Sequence, residues 1–78
     1  MSVKEHAINY LYSKAEADYQ SALMSFELLL NNPVGIGDHS TKDFTSNLDQ
    51  ALEQLKEAKD QLEMVEWLED YFLYDGEQ

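Results

Sequence analysis

Leu29-Leu30-Asn31-Asn32-Pro33-Val34-Gly35-Ile36-Gly37-Asp38-His39-Ser40-Thr41-Lys42-Asp43-Phe44 is the stretch from which the fold can be read. Its centre carries the turn residues Asn, Pro, Gly and Asp, which favour non-helical geometry for separate stereochemical reasons. Its outer residues, Leu29 and Phe44, are the first apolar partners on either side. Moving outward, Phe26 faces Leu48, Ala22 faces Ala51, Tyr19 faces Leu55, Ala15 faces Ala58, Tyr12 faces Leu62 and Ile8 faces Val65. Each pair lies equally far from the turn to within one residue. On both sides the apolar residues step by 4, 3, 4, 3, 4, 3, the seam of a helix that repeats every seven residues. Two unrelated helices have no reason to set alanine opposite alanine twice in one register.

The spacing therefore predicts an all-α fold: an antiparallel two-helix hairpin with a heptad seam and close Ala–Ala layers. The expected organisation is one domain over residues 1–78, with a helix over about 3–31, a loop over 32–40, a helix over about 41–73 and a frayed tail over 75–78. Strands are not expected, because neither segment alternates with period two. Asn31-Asn32-Pro33 stops the first helix, since proline disfavours helical geometry in the residue before it. Ser40-Thr41-Lys42-Asp43 offers a capping hydroxyl and an acid three residues later, and Asp38 adds negative charge near the same helix start.

Charge is the strongest bias in the composition. Sixteen acidic residues face five basic ones, all lysine, for a net charge of −11. Residues 40–78 hold eleven carboxylates against three lysines. Direct nucleic-acid binding is disfavoured, because phosphate neutralisation needs clustered Lys and Arg. Anionic membrane surfaces are disfavoured for the same reason, whereas a basic protein partner suits this charge. The absence of cysteine excludes disulfides, a thiol nucleophile and thiolate zinc sites. Met1-Ser2-Val3-Lys4-Glu5-His6 has no signal-like apolar run, and no stretch has the length of a membrane span. The chain reads as soluble and cytoplasmic, and 44% hydrophobic residues in periodic order argue against disorder.

A hairpin hides one stripe per helix, and many apolar residues lie outside it, among them Leu11, Leu23, Met24, Leu28, Leu30, Leu52, Met64 and Leu68. Residues beyond about 70 overhang the start of the first helix, which leaves Trp67, Tyr71, Phe72 and Tyr74 short of intramolecular partners in this register. Exposed patches of this kind mark association, so a homo-oligomer is expected, most simply a dimer of hairpins forming a four-helix bundle. The same aromatics could form a partner-binding hot spot.

Three clusters are candidate sites. Gly35, Gly37, Asp38 and His39 could receive a ligand, since glycines let backbone amides approach an anion near a helix start. The segment lacks the lysine and the preceding strand of a phosphate loop, and closing the hairpin accounts for most of its composition. His39 with Asp38 could act as a base and its orienting acid, yet His6 lies at the far end and no Glu-x-x-His motif is present. No metal or cofactor is implied. On the second helix Asp49, Glu53, Asp60, Glu63, Glu66 and Asp70 form an acidic face that could imitate a row of phosphates, although a solvated face explains it too. Lys56 and Lys59 interrupt it. No constellation of catalytic residues stands out, so the chain is not expected to be an enzyme.

The run Asn32-Pro33-Val34-Gly35-Ile36-Gly37-Asp38-His39 followed by an acidic helix resembles a group of short uncharacterised proteins of tailed bacteriophages, T4-like and marine cyanobacterial phages among them. Those proteins share a helix–NPVGIG(D/E)H–helix pattern that would cover roughly residues 15–70. The resemblance implies a phage product acting in the host cytoplasm. With the acidic face, it suggests a non-enzymatic accessory oligomer that binds a host or phage protein, in its sharpest form as a DNA mimic. The alternatives are a nucleotide-sequestering binder that uses the glycine loop at an oligomer interface, or a structural or assembly component.

Overall fold

The computed structural model describes residues 2–31 and 40–74, with the side chains of Ser40 and Thr41 left aside. Two α-helices account for nearly all of it: α1 over Val3–Asn31 and α2 over Ser40–Glu69, followed by one π-helical turn over Asp70–Tyr74. No strand occurs among the described residues. The helices, 29 and 30 residues long, are each about 45 Å at 1.5 Å per residue. Their antiparallel packing gives a rod of 59 × 19 × 15 Å.

α1 opens on a capping box that the sequence reading above overlooks. The Ser2 amide donates to Glu5 Oε1 at 2.9 Å, and the Glu5 amide donates to Ser2 Oγ at 3.1 Å. Each side chain thereby satisfies the other residue's orphan backbone donor. The His6 amide reaches the Ser2 carbonyl at 3.0 Å and starts the helical ladder. α1 ends at Asn31, two residues before Pro33. Near the start of α2 the Thr45 hydroxyl donates back to the Lys42 carbonyl at 3.0 Å, a local side-chain bond that satisfies the hydroxyl and caps no backbone amide. The expected cap rests on the Ser40 side chain, which is left aside, and on Asp38, which lies outside the described residues.

All fourteen seam residues are buried or half-buried. Ile8, Ala15, Ala51, Ala58 and Val65 are the buried hydrophobic residues, and no large side chain among those described is fully enclosed. The core is a single zipper of small and medium side chains. Glu5 and Glu69 are half-buried where the heptad would place one further layer. Two carboxylates cannot extend an apolar seam, and the zipper stops there.

The winding changes immediately after that layer. The sequence pattern extends one α-helix to about residue 73, but Asp70–Tyr74 is a π-turn instead. A π-turn takes up one more residue than an α-turn. The heptad would direct Phe72 to the seam, yet Phe72 is exposed and Leu73 is half-buried. The inserted residue has advanced the register by one.

Candidate functional site

The described surface carries three distinct features, and none is an enclosed cavity. No polar or charged residue among the described residues is buried, and no buried side-chain polar atom lacks a partner. Nor do the described residues bring together three His, Cys, Asp or Glu side chains able to hold a metal ion. The glycine-loop candidates Gly35, Gly37, Asp38 and His39 lie outside the described residues.

The first feature is the acidic face of α2. Asp49, Glu53, Asp60, Glu63, Glu66 and Asp70 are all exposed, but they do not act as one row. Lys56 Nζ sits 3.5 Å from Asp60 Oδ2, and Lys59 Nζ sits 2.9 Å from Glu63 Oε2. Both pairs are one helical turn apart with lysine on the N-terminal side, the weaker order, and solvent screens them heavily. They add little stability. Their main effect is on the field, because local neutralisation in mid-helix separates Asp49 and Glu53 from Glu66 and Asp70. The Lys59 ammonium is held above its usual range by its hydrogen bond and charge interaction with Glu63, and further by Tyr19 and Asp60. On α1, Lys14 is raised in the same way by its 3.0 Å contact with Asp18.

The second feature is the aromatic end. Trp67 and Tyr71, four residues apart on one helical face, stack with ring centroids 5.2 Å apart and planes 8° from parallel. Phe72 meets Tyr71 edge-on at 4.9 Å and 86°. The sequence reading leaves these rings without intramolecular partners; they are in fact partners of one another. They remain open to solvent, with Trp67 57% exposed and Tyr71, Phe72 and Tyr74 also exposed. The carboxylates of Glu63, Glu66 and Asp70 fall within a turn of Trp67 along the same helix. Exposed ring faces bordered by carboxylates suit an arginine or lysine side chain, which gains from both the quadrupole and the charge.

The third feature is a groove of about 720 Å³ along one edge of the hairpin, at the end nearer the chain reversal. Leu23, Met24 and Leu30 of α1 and Leu52 of α2 form its walls, Phe26 and Leu55 its floor, and Gln20, Glu27 and Asn31 its rim. Each of these apolar residues was visible in the sequence as lying off the seam or on it. Their convergence was not, although a signal existed. Leu23, Leu30 and Leu52 each follow a seam residue by one position, and in an antiparallel pair such positions share an edge. The opposite edge is polar at mid-length, where Asp18, Ser21 and Ser25 face Gln54, Glu57 and Gln61.

Farther from the turn, the groove's own edge becomes charged. Glu16 and Glu66, which also follow seam residues by one position, both act on the Tyr12 hydroxyl. Its pKa is raised by the charge of Glu16, then by burial, then by Glu66 and Glu69. One edge thus has an apolar half and a charged half of mixed sign, since Lys59 also follows a seam residue, Ala58, by one position.

No family model, curated protein or solved structure matches this chain at a significant level. No helix among the described residues is long and apolar enough to cross a membrane.

Proposed function

We propose that the chain is a non-enzymatic phage accessory protein, an acidic helical-bundle oligomer that grips a basic segment of a host or phage protein. The phage setting follows from the resemblance of the Asn32–His39 loop. One observation carries the binding reading: the open Trp67–Tyr71 stack lies on the stretch of chain that also carries the exposed carboxylates Glu66 and Asp70. A net charge of −11 steers cationic partners toward the chain, and the rings supply area at low entropic cost. Two hairpins pairing into a four-helix bundle would cover apolar surface that one hairpin leaves open. Between a basic protein segment and the DNA-mimic form, the geometry favours the former. The Lys56–Asp60 and Lys59–Glu63 pairs break the charge row that a mimic needs.

The test uses Trp67, the sole tryptophan, as reporter. An arginine-rich peptide titrated into the protein should shift Trp67 emission, and binding should weaken as salt rises. Glu66→Gln with Asp70→Asn should weaken it several-fold more than Asp49→Asn with Glu53→Gln, which removes the same charge farther away. Equal losses from the two double variants would reduce the effect to bulk charge and defeat the proposed site. Capture from host lysate at low and high salt then identifies the natural partner.

A further inference from the structure

Lys59, Glu63, Trp67 and Tyr71 follow one another at intervals of four residues. On a helix that spacing sets side chains one turn above the next along a single stripe. The two ends of the stripe are joined in pairs. Lys59 Nζ donates to Glu63 Oε2 at 2.9 Å, and the Trp67 and Tyr71 rings stack at 5.2 Å with planes 8° from parallel. Glu63 and Trp67 are the middle members, one turn apart.

The hairpin does not account for the tryptophan. Trp67 stands two residues from each of the seam positions Val65 and Glu69, on the side of α2 turned away from α1, and it is 57% exposed. Neither the zipper nor a helix cap needs an indole there. Its stack with Tyr71 occupies one of its two faces.

We infer that the Glu63–Trp67 step is a slot for one arginine side chain of a basic protein partner, with Lys59 as the internal cation that the arginine displaces. The inference rests on the reading of this end of α2 as a grip for a basic segment, and it names the side chain that is gripped.

The dimensions suit a single cation. One helical turn rises about 5.4 Å, within the roughly 6 Å over which a ring face attracts a cation, and tryptophan is the strongest of the aromatic partners. Long side chains on a helix lean toward its N-terminus, which carries the Trp67 ring over the turn that holds Glu63. A guanidinium placed there meets a ring face and a carboxylate together. Because Trp67 and Tyr71 are nearly parallel, a flat cation continues the stack as a third layer. Guanidinium is planar, weakly hydrated and able to fork onto both oxygens of a carboxylate. An ammonium is compact and strongly hydrated, with no plane to lay on the ring.

Lys59 is suited to give way. Both side chains of its pair with Glu63 are more than half exposed, and such pairs are exchanged at little cost. Asp60 also acts on Lys59, so the displaced ammonium keeps a carboxylate neighbour. The Lys56–Asp60 pair is the natural contrast. It has the same spacing, but one turn beyond Asp60 stands Met64 in place of a ring.

Two capped peptides of equal length and charge, one built on arginine and one on lysine, test the slot when titrated into the full chain. Anisotropy of a dye on the peptide gives the Kd in every variant, and Trp67 emission reports on the ring. The arginine peptide should bind about three- to tenfold more tightly. Glu63→Gln should remove most of that preference, whereas Glu53→Gln, which removes the same charge farther from the ring, should weaken both peptides alike. Lys59→Met should tighten the arginine peptide by about twofold or more relative to Lys56→Met, which makes the same change of charge. All four substitutions lie at exposed positions, and circular dichroism checks that each variant stays helical. Equal affinity for the two peptides, or equal effects within either pair of variants, overturns the slot and leaves the basic-segment reading standing. If neither peptide binds at low salt, both fall.

Discussion

Ala15, Ala51 and Ala58 occupy three of the buried seam positions, and their small size lets the helices approach. A larger side chain there would act as a wedge. Ala58→Leu should destabilise the hairpin by about 1–3 kcal/mol, read as a lower urea midpoint. At the start of α1, Ser2→Ala removes the acceptor for the Glu5 amide and should cost about 1 kcal/mol, with a matching loss of helicity. Tyr12, Lys14 and Lys59 all have pKa values raised above their ordinary ones, Tyr12 chiefly by Glu16 and the lysines chiefly by hydrogen bonds to Asp18 and Glu63. The folded chain thus holds these protons more tightly than the unfolded chain does. The resulting stability is fully present below the unfolded pKa values and is lost as pH rises through the folded ones. Urea titrations from roughly pH 9 to 12 should show a falling midpoint, and Tyr12→Phe should flatten the decline.

At the scale of elements, the seam and its termination are separate matters. The regular steps from Ile8 to Leu29 and from Phe44 to Val65 make two helices because every third or fourth residue has an apolar partner across the axis. Past Val65 the next layer sets Glu5 against Glu69, both half-buried, and the π-turn of Asp70–Tyr74 follows at once. After that turn Leu73 is half-buried and Phe72 is exposed. Leu73→Ala should therefore lower hairpin stability by about 1–2 kcal/mol, and Phe72→Ala by less than about 0.5 kcal/mol. Paired denaturation curves decide it, and the reverse order would return this turn to α-winding. The heptad alone could not have shown the insertion, because a π-turn changes which residue faces inward without changing the composition.

For the whole molecule, charge and shape act together. A rod with one apolar zipper and a net charge of −11 repels its own copies while exposing surface that needs covering. On the proposed reading, salt should shift self-association and partner binding in opposite directions: tighter contact between copies, weaker contact with a basic partner. A titration of each in one salt series checks this, and parallel trends would mean that both use the same surface. The acidic face of α2 and its interruption by Lys56 and Lys59 were legible as residues, whereas the pairing of those lysines with Asp60 and Glu63 depends on side-chain geometry. The aromatic end was likewise legible as an unpartnered cluster; its internal stacking was not.

The hairpin itself was within reach of the sequence, because a heptad mirrored about a proline-glycine turn leaves one way to pair the layers. Hydrophobic spacing is a local property, and it dictates which stripe of each helix turns inward. The groove formed by Leu23, Met24, Leu30 and Leu52, the charged continuation at Glu16, Lys59 and Glu66, and the register shift that leaves Leu73 half-buried and Phe72 exposed were decided only in three dimensions. Each depends on how side chains from two antiparallel helices, or from successive turns of different pitch, come to share one face.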